Sequence, residues 1–121
     1  MNSERKLKYL AIPLTAKSEK LMYYRFDISC RIAGKLMKKG MKIFSPISHS
    51  YNIAKRVKLP HDWKFWRKYD KTFLSLSNEL IVVMLDGWKE SVGVQDEIKI
   101  AKQMKIKISY LNPYKFLKGE V

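Results

Sequence analysis

Apolar positions in this chain form short continuous runs that alternate with longer stretches of helical spacing. Residues from Leu7 to Ile12 are almost all apolar, which is typical of a strand covered on both faces in a parallel sheet. A loop follows this strand, and a helix is predicted after the loop. Gly40 is suited to end that helix. The apolar residues of this first predicted helix recur every three or four positions: Met22, Phe26, Cys30, Ala33 and Met37.

The middle of the chain repeats the alternation. Lys42 to Ser45 is a predicted second strand that Pro46 ends, and we expect a long loop from there to Pro60. Asp62 is a predicted N-cap of a second helix. That helix contains Trp63, Trp66, Asp70, Phe73 and Leu74.

The last part of the chain adds two strands and a helix. The segment from Leu80 to Leu85 is the strongest strand signal, because it is rich in β-branched residues and uncharged. Ser91 is the predicted N-cap of the third helix, and Lys107 to Leu111 is the predicted fourth strand. One face of the third helix is apolar: Val94, Ile98, Ala101 and Met104.

This order of elements, β-α-β-α-β-α-β, predicts a small three-layer α/β/α fold. The sheet is expected to be parallel, flavodoxin- or Rossmann-like, with about four to five strands, in one domain over residues 1–121. Ligands of such sheets bind at the carboxyl ends of the strands, where the strand order reverses. We therefore expect the loops after Ile12, Ser45 and Leu85 to surround one crevice.

The charge of the chain allows several partners. Its 121 residues include 25 Lys+Arg and 11 Asp+Glu, a formal net charge of +14. Such a chain can bind nucleic acid, an anionic membrane surface or small phosphorylated ligands. The cations are scattered and form no block, which favours a lysine-rich solvated surface that attracts small phosphates.

Composition narrows the class of protein further. The longest apolar run has only about six residues, far short of the roughly 18 needed to cross a bilayer, so no membrane span is predicted. A single Cys30 excludes an internal disulfide, and with two histidines we expect neither a metal site nor a cofactor. The chain is expected to be cytoplasmic.

Two acids are candidates for chemistry. Asp70 shares a helix face with aromatic residues, and Glu97 lies near the start of the third helix. Each has a structural alternative, a salt bridge for Asp70 and a favourable interaction with the helix dipole for Glu97. Together, however, two carboxylates are what cleavage of a bond to an anomeric carbon requires. Gly87 and Gly93, with Ser91 at a helix start, form a candidate anion site.

A longer motif surrounds Glu97. Residues 91–98 read SVGVQDEI and are followed by Ala101, which resembles the SxGVxxE(L/I)xxA motif of the nucleoside 2-deoxyribosyltransferase-like family. That family includes 2-deoxynucleoside 5′-phosphate N-hydrolases. Tyr9 and Asp70 match its order of site residues. Small phage and bacterial members are similar in further segments: YLAIP at residues 9–13, FSPISHS at 44–50, DWKFW at 62–66 and GW at 87–88.

The resemblance implies a covalent mechanism. Glu97 would attack the anomeric carbon of a (deoxy)ribosyl group and release the base, leaving a glycosyl-enzyme intermediate. Water would complete a hydrolysis, and a second base a transfer. Asp70 matches the acid that assists departure of the base, and Tyr9 would hydrogen-bond near the nucleophile. Ser91 occupies a position that the hydrolases use near the 5′-phosphate, which favours a nucleoside 5′-monophosphate.

Further substrate contacts are predicted, several with a structural alternative. His49 can contact phosphate or base from a mobile loop, or bond to backbone, and Arg25 and Arg31 can reach phosphate or form surface pairs. Trp63, Trp66 and Trp88 can stack a nucleobase, or pack in the core or a dimer. The predicted substrate-binding set is Ser91, Gly93, Gly87, His49, Pro13 and Trp66. Ile12 departs from the Gly or Ser of many relatives and narrows the sugar pocket, and Asn78 replaces a common Asp.

The leading hypothesis is an N-glycosidase or deoxyribosyl transferase that acts on a nucleoside 5′-monophosphate through Glu97. A nucleotide-binding or sensing module without turnover is the first alternative, and a basic nucleic-acid-binding protein is a less favoured one. Two exposed sheet edges and the long loop after Pro46 also predict a homodimer or larger homo-oligomer.

Overall fold

Four parallel strands form the centre of the molecule. The computed structural model describes residues 7–118, and its sheet has the order β2-β1-β3-β4. The strands are β1 (Leu7–Ala11), β2 (Lys42–Phe44), β3 (Glu79–Val83) and β4 (Lys107–Leu111). The helices are α1 (Glu19–Lys38), α2 (Pro46–Val57), α3 (Trp63–Ser75), α4 (Val92–Gln103) and α5 (Pro113–Leu117).

The alternation of side chains in β1 and β3 produces the three layers. Leu10 and Ile81 point to one face of the sheet, where they pack with residues of α1 and α5 such as Ile32. Tyr9 and Leu80 point to the opposite face, where α3 and α4 pack. The expected small three-layer α/β fold with a parallel sheet is therefore confirmed.

The strand order contains one reversal. The chain leaves β1 for β2 on one side and then crosses to β3 on the other, so β1 and β3 are neighbours, with Leu10 opposite Ile81. Loops that leave these two strands diverge and open a crevice between them. The crevice predicted from the sequence lies at this edge of the sheet because the strand order reverses there.

The expected loop from Pro46 to Pro60 is wrong, because residues Pro46–Val57 form α2. Pro46 ends β2 but also occupies the first turn of the helix, where a missing N–H costs no hydrogen bond. Ser50, Tyr51 and Ala54 form the buried side of α2. The segment therefore buries one side of its helix within the chain. The predicted loop after Pro46 is thus no longer an argument for a homo-oligomer. The homo-oligomer stays a prediction that rests on the sheet edges.

Two helices differ from the sequence-based expectation in detail. Helix α1 has the predicted position, but its buried side includes Ile28, Ile32 and Leu36, whereas Met37 is 51% exposed. The short helix α5 was not predicted. Its N-cap is Asn112, whose side chain accepts hydrogen bonds from two backbone N–H groups. None of the helices within residues 7–118 has the length and apolar character that spanning a membrane requires.

Glu79 connects three strands at the amino end of the sheet. Lys8 Nζ donates to Glu79 Oε1 at 2.5 Å, and Ser109 Oγ donates to Glu79 Oε2 at 2.6 Å. Burial alone raises the pKa of Glu79, but the hydrogen bonds from Lys8 and Ser109 outweigh it and hold the pKa below its ordinary value. The carboxylate is therefore held in its ionised form between β1 and β4.

Replacing Glu79 by Ala should lower the free energy of unfolding by about 2 kcal/mol at pH 7, because the half-buried partners Lys8 and Ser109 lose their acceptor. Urea denaturation measures this change. Glu19→Ala is the matched control, since Glu19 forms only an exposed pair with Lys55 at 3.2 Å and should leave stability nearly unchanged. Equal stability of the Glu79→Ala variant and the wild type would contradict this account of the sheet.

Candidate functional site

A cavity of about 550 Å³ opens at the carboxyl ends of the strands. The segments after β1, β2 and β3 all contribute to its wall, as do the first turns of α2, α3 and α4. Its lining includes Ile12, Thr15, Ile47, Tyr51, Trp63, Trp66, Asp70, Ser91, Gly93 and Glu97. The crevice expected from the three loops is therefore present, and both candidate carboxylates line it.

Tyr9 and Glu97 are joined at the base of this cavity. Because Tyr9 points to the α3 and α4 face of the sheet, its hydroxyl reaches α4 and donates a short hydrogen bond to Glu97 Oε2. Tyr9 is fully buried and Glu97 is 5% exposed. Tyr9 itself does not line the cavity, so it orients Glu97 from behind.

Burial governs the protonation of Glu97. Removal from water raises the pKa of Glu97 well above its ordinary value. The hydrogen bond from Tyr9 opposes this shift, whereas the nearby charges of Asp70 and Asp96 add to it. Burial, followed by the charge of Glu97, likewise raises the pKa of Tyr9, so the phenol stays a hydrogen-bond donor. The ionised form of Glu97 thus depends on Tyr9 and on a neutral Asp70.

Asp70 is the second buried carboxyl of the cavity. It is 6% exposed, and burial raises its pKa to about 7. The structural alternative was a salt bridge, but no ion pair within residues 7–118 involves Asp70. A carboxyl with this pKa is a competent proton donor near neutral pH.

The first turn of α4 forms the wall next to Glu97. The predicted N-cap is confirmed, because Ser91 Oγ accepts a hydrogen bond from the Val94 N–H at 3.1 Å. Gly93 lies against Trp63, and an added Cβ would come within 3.2 Å of the indole ring. The indole is fixed in turn by donating from Nε1 to Asp96 Oδ2 at 2.6 Å. Gly93 therefore has a packing role in addition to its place on the cavity wall.

Three predicted substrate contacts lie away from the cavity lining. His49 is on the exposed side of α2 beside Phe44, so its placement in a mobile loop is wrong. Pro13 is buried but does not line the cavity. Gly87 has a φ of +98°, and the space beside it is filled by the Arg25 guanidinium.

Only some of the tryptophans and arginines predicted to contact substrate lie at the cavity. Trp63 and Trp66 line the cavity, whereas Trp88 packs against the core. Arg25 donates to the backbone carbonyls of Leu14, Thr15 and Asp86, which ties the loop after β1 to the loop after β3. Arg31 pairs with Asp27 at 2.8 Å on the surface.

Sequence reasoning missed several lining residues. Tyr51 was not predicted because its segment was expected to be a loop, although its four-residue spacing from Ile47 is typical of a helix. The charges of the lining were also unexpected in a chain of net charge +14. Asp62, Asp70, Glu90 and Glu97 line the cavity, whereas Lys64 and His61 are its only basic residues among those described. Within residues 7–118, no group of three or more Asp, Glu, His or Cys side chains is arranged to hold a metal ion.

The fold and site define a small parallel α/β protein with two buried carboxyl groups in one cavity. The chain belongs to the family described as a domain of unknown function, DUF1937, whose model matches residues 6–112. This match covers all four strands and both carboxyl groups. No significant match to a curated protein was found.

Replacing Asp70 by Asn should stabilise the folded chain above pH 8 by up to about 4 kcal/mol. The pKa of Asp70 is 3.8 without the fold and about 7 within it, so the wild type loses stability as pH rises through this window. The amide cannot ionise and avoids that cost. Urea denaturation at pH 4 and 8.5 measures the difference, which should be small at pH 4. A less stable variant at pH 8.5 would contradict the raised pKa.

Proposed function

We propose that this protein is an N-glycosidase or deoxyribosyl transferase that cleaves the base–sugar bond of a (deoxy)nucleoside 5′-monophosphate. The observation that carries the proposal is the presence of two buried carboxyl groups, Asp70 and Glu97, on the wall of one cavity. The resemblance of the segment around Glu97 to the nucleoside 2-deoxyribosyltransferase-like family supports the same chemistry.

In the proposed reaction the Glu97 carboxylate attacks the anomeric carbon. The base leaves with the electron pair of the glycosidic bond and takes a proton from Asp70, and a glycosyl ester of Glu97 remains. Tyr9 holds one carboxylate oxygen by its hydrogen bond, which leaves the other oxygen to react. Water, or a second base through a ring N–H, then attacks the same carbon and releases Glu97, and ionised Asp70 accepts the proton that the attacking water or base gives up.

Donors for a phosphate lie at the cavity wall. The first turns of α2 and α4 line it, and helix starts present free backbone N–H groups to an anion. The Ser91 hydroxyl accepts from Val94 and keeps its own O–H to donate. Lys64 adds the only full positive charge among the described lining residues. These groups support a monophosphate bound at the rim, away from the carboxylates.

Base release from deoxynucleoside monophosphates tests the proposal directly. Purified protein should liberate free base, which chromatography detects, and Glu97→Gln should lower kcat by at least about 10⁴-fold. Asp70→Asn should lower it by about 10²-fold, because proton transfer to the leaving base and from the attacking water is lost while the nucleophile remains. Mass spectrometry of quenched Asp70→Asn reactions should find a sugar phosphate attached to the peptide that contains Glu97.

Glu90→Gln is the matched control, since Glu90 lines the same cavity at an exposed position without a role in the proposed reaction. It should retain most of the activity. No base release from any monophosphate, or equal activity in the Glu97→Gln variant, would refute the proposal. Tight binding without turnover would instead support a nucleotide-binding or sensing module.

The pH dependence of kcat/KM tests the role of Asp70. Because Asp70 of the free protein must be protonated to assist the leaving base, kcat/KM should fall about tenfold per pH unit once the pH exceeds about 7. The Asp70→Asn variant should lose this alkaline limb. A wild-type profile that stays level up to pH 9 would exclude Asp70 as the acid.

A further inference from the structure

Helix α3 carries three aromatic rings in mutual contact, the half-buried Phe65 and Trp66 and the exposed Tyr69, which we call the ring cluster. Their centroids are separated by 5.0 Å for Phe65 and Trp66, 5.8 Å for Phe65 and Tyr69, and 5.6 Å for Trp66 and Tyr69. Tyr69 is 43% exposed, and none of the three rings belongs to either core cluster of the described residues. Packing of the core therefore does not explain this cluster.

A row of lysines runs along α3, and one of them, Lys68, lies against the ring cluster. Lys64, Lys68 and Lys71 follow one another at intervals of four and three residues, so they share one side of α3, and all three are exposed. Lys68 Nζ lies 5.2 Å from the centroid of the Tyr69 ring. None of the ion pairs found within residues 7–118 neutralises any of the three.

The orientation of Trp66 limits what can bind there. Its Nε1 donates to the Pro60 carbonyl at 2.6 Å, so the polar edge of the indole is turned towards the protein. Tryptophans at a membrane interface instead direct that edge to the headgroups and water. The fixed Trp66 ring is better suited to stacking against a planar group.

We propose that the ring cluster and its lysine row bind single-stranded nucleic acid. Unpaired bases stack on exposed aromatic rings, and the phosphates between them match the lysines. A second copy of the chain related by a two-fold axis would bring two lysine rows together, which disfavours a dimer through this face. A duplex keeps its bases stacked inside and should bind more weakly. The surface shares Trp66 and Lys64 with the cavity wall, and the inference goes beyond the proposed function because binding of a strand requires no turnover at Glu97.

Fluorescence anisotropy with labelled dT20 and the full chain tests the inference. At 50 mM salt we expect a Kd of about 10 μM or tighter, which weakens as salt increases. Tyr69→Ala should weaken binding by about 5- to 100-fold, the effect of losing one stacked base. Tyr69→Phe keeps the ring and should bind like the wild type. Glu97→Gln should also bind normally, because binding of the strand requires no turnover.

The lysine row has a matched control on α4. Lys68→Ala/Lys71→Ala should reduce the slope of log K against log salt by about 1.4, since each phosphate contact with a single strand contributes about 0.7. Lys99→Ala/Lys102→Ala removes two exposed lysines of the same spacing from another helix. This control should leave both the affinity and the slope unchanged.

Four results would overturn the inference. These are no binding of dT20 at 50 mM salt, an equal loss in the two double variants, unchanged binding by Tyr69→Ala, and duplex bound as tightly as single strand. Two further measurements address other occupants. A dimer in sedimentation that Tyr69→Ala dissociates would assign the face to a second copy, and binding of phosphatidylserine vesicles lost in the same variants would assign it to a membrane.

Discussion

The burial of two carboxyl groups in one cavity is the constraint on which the site depends. Burial raises the pKa of Asp70 to about 7 and the pKa of Glu97 well above its ordinary value. A fold that holds such groups is less stable near neutral pH than one with neutral side chains in their place. The structure limits this cost for Glu97 through the hydrogen bond from Tyr9. These three residues come from β1, α3 and α4. The site therefore forms only when the side chains of β1 alternate so that Tyr9 faces the two helices, and when both helices pack on that face.

The distribution of charge separates the inside of the site from its outside. Four acids line the cavity in a chain of net charge +14, and Lys64 is the only lysine or arginine among the described lining residues. Cations lie instead on exposed helix faces, including that of α3 with Lys64, Lys68 and Lys71. A phosphate is therefore better accommodated at the rim than beside the carboxylates. Net charge alone does not reveal this division, because it depends on which helix faces point outwards.

Local pattern predicted much of the fold, and chemistry predicted the central site residues. The apolar runs located all four strands, positions on the predicted helices singled out Asp70 and Glu97, and the family resemblance added Tyr9. The loop predicted after Pro46 is a helix instead, because a proline that ends a strand can equally begin a helix. Tyr51, which lies on that helix and lines the cavity, was not predicted for the same reason. The clustering of the three α3 rings was also beyond the sequence, since it depends on whether the rings face the core or the solvent.

A crystal structure of the Glu97→Gln variant with a deoxynucleoside monophosphate tests the central claim most directly. The account predicts that the sugar lies in the cavity, with its anomeric carbon about 3 to 3.5 Å from the side chain at position 97. Asp70 should lie within hydrogen-bond distance of the base or of the bond that breaks, and the phosphate should contact the start of α2 or α4. A nucleotide bound with its sugar outside the cavity, or with Asp70 and position 97 on separate groups, would contradict the account.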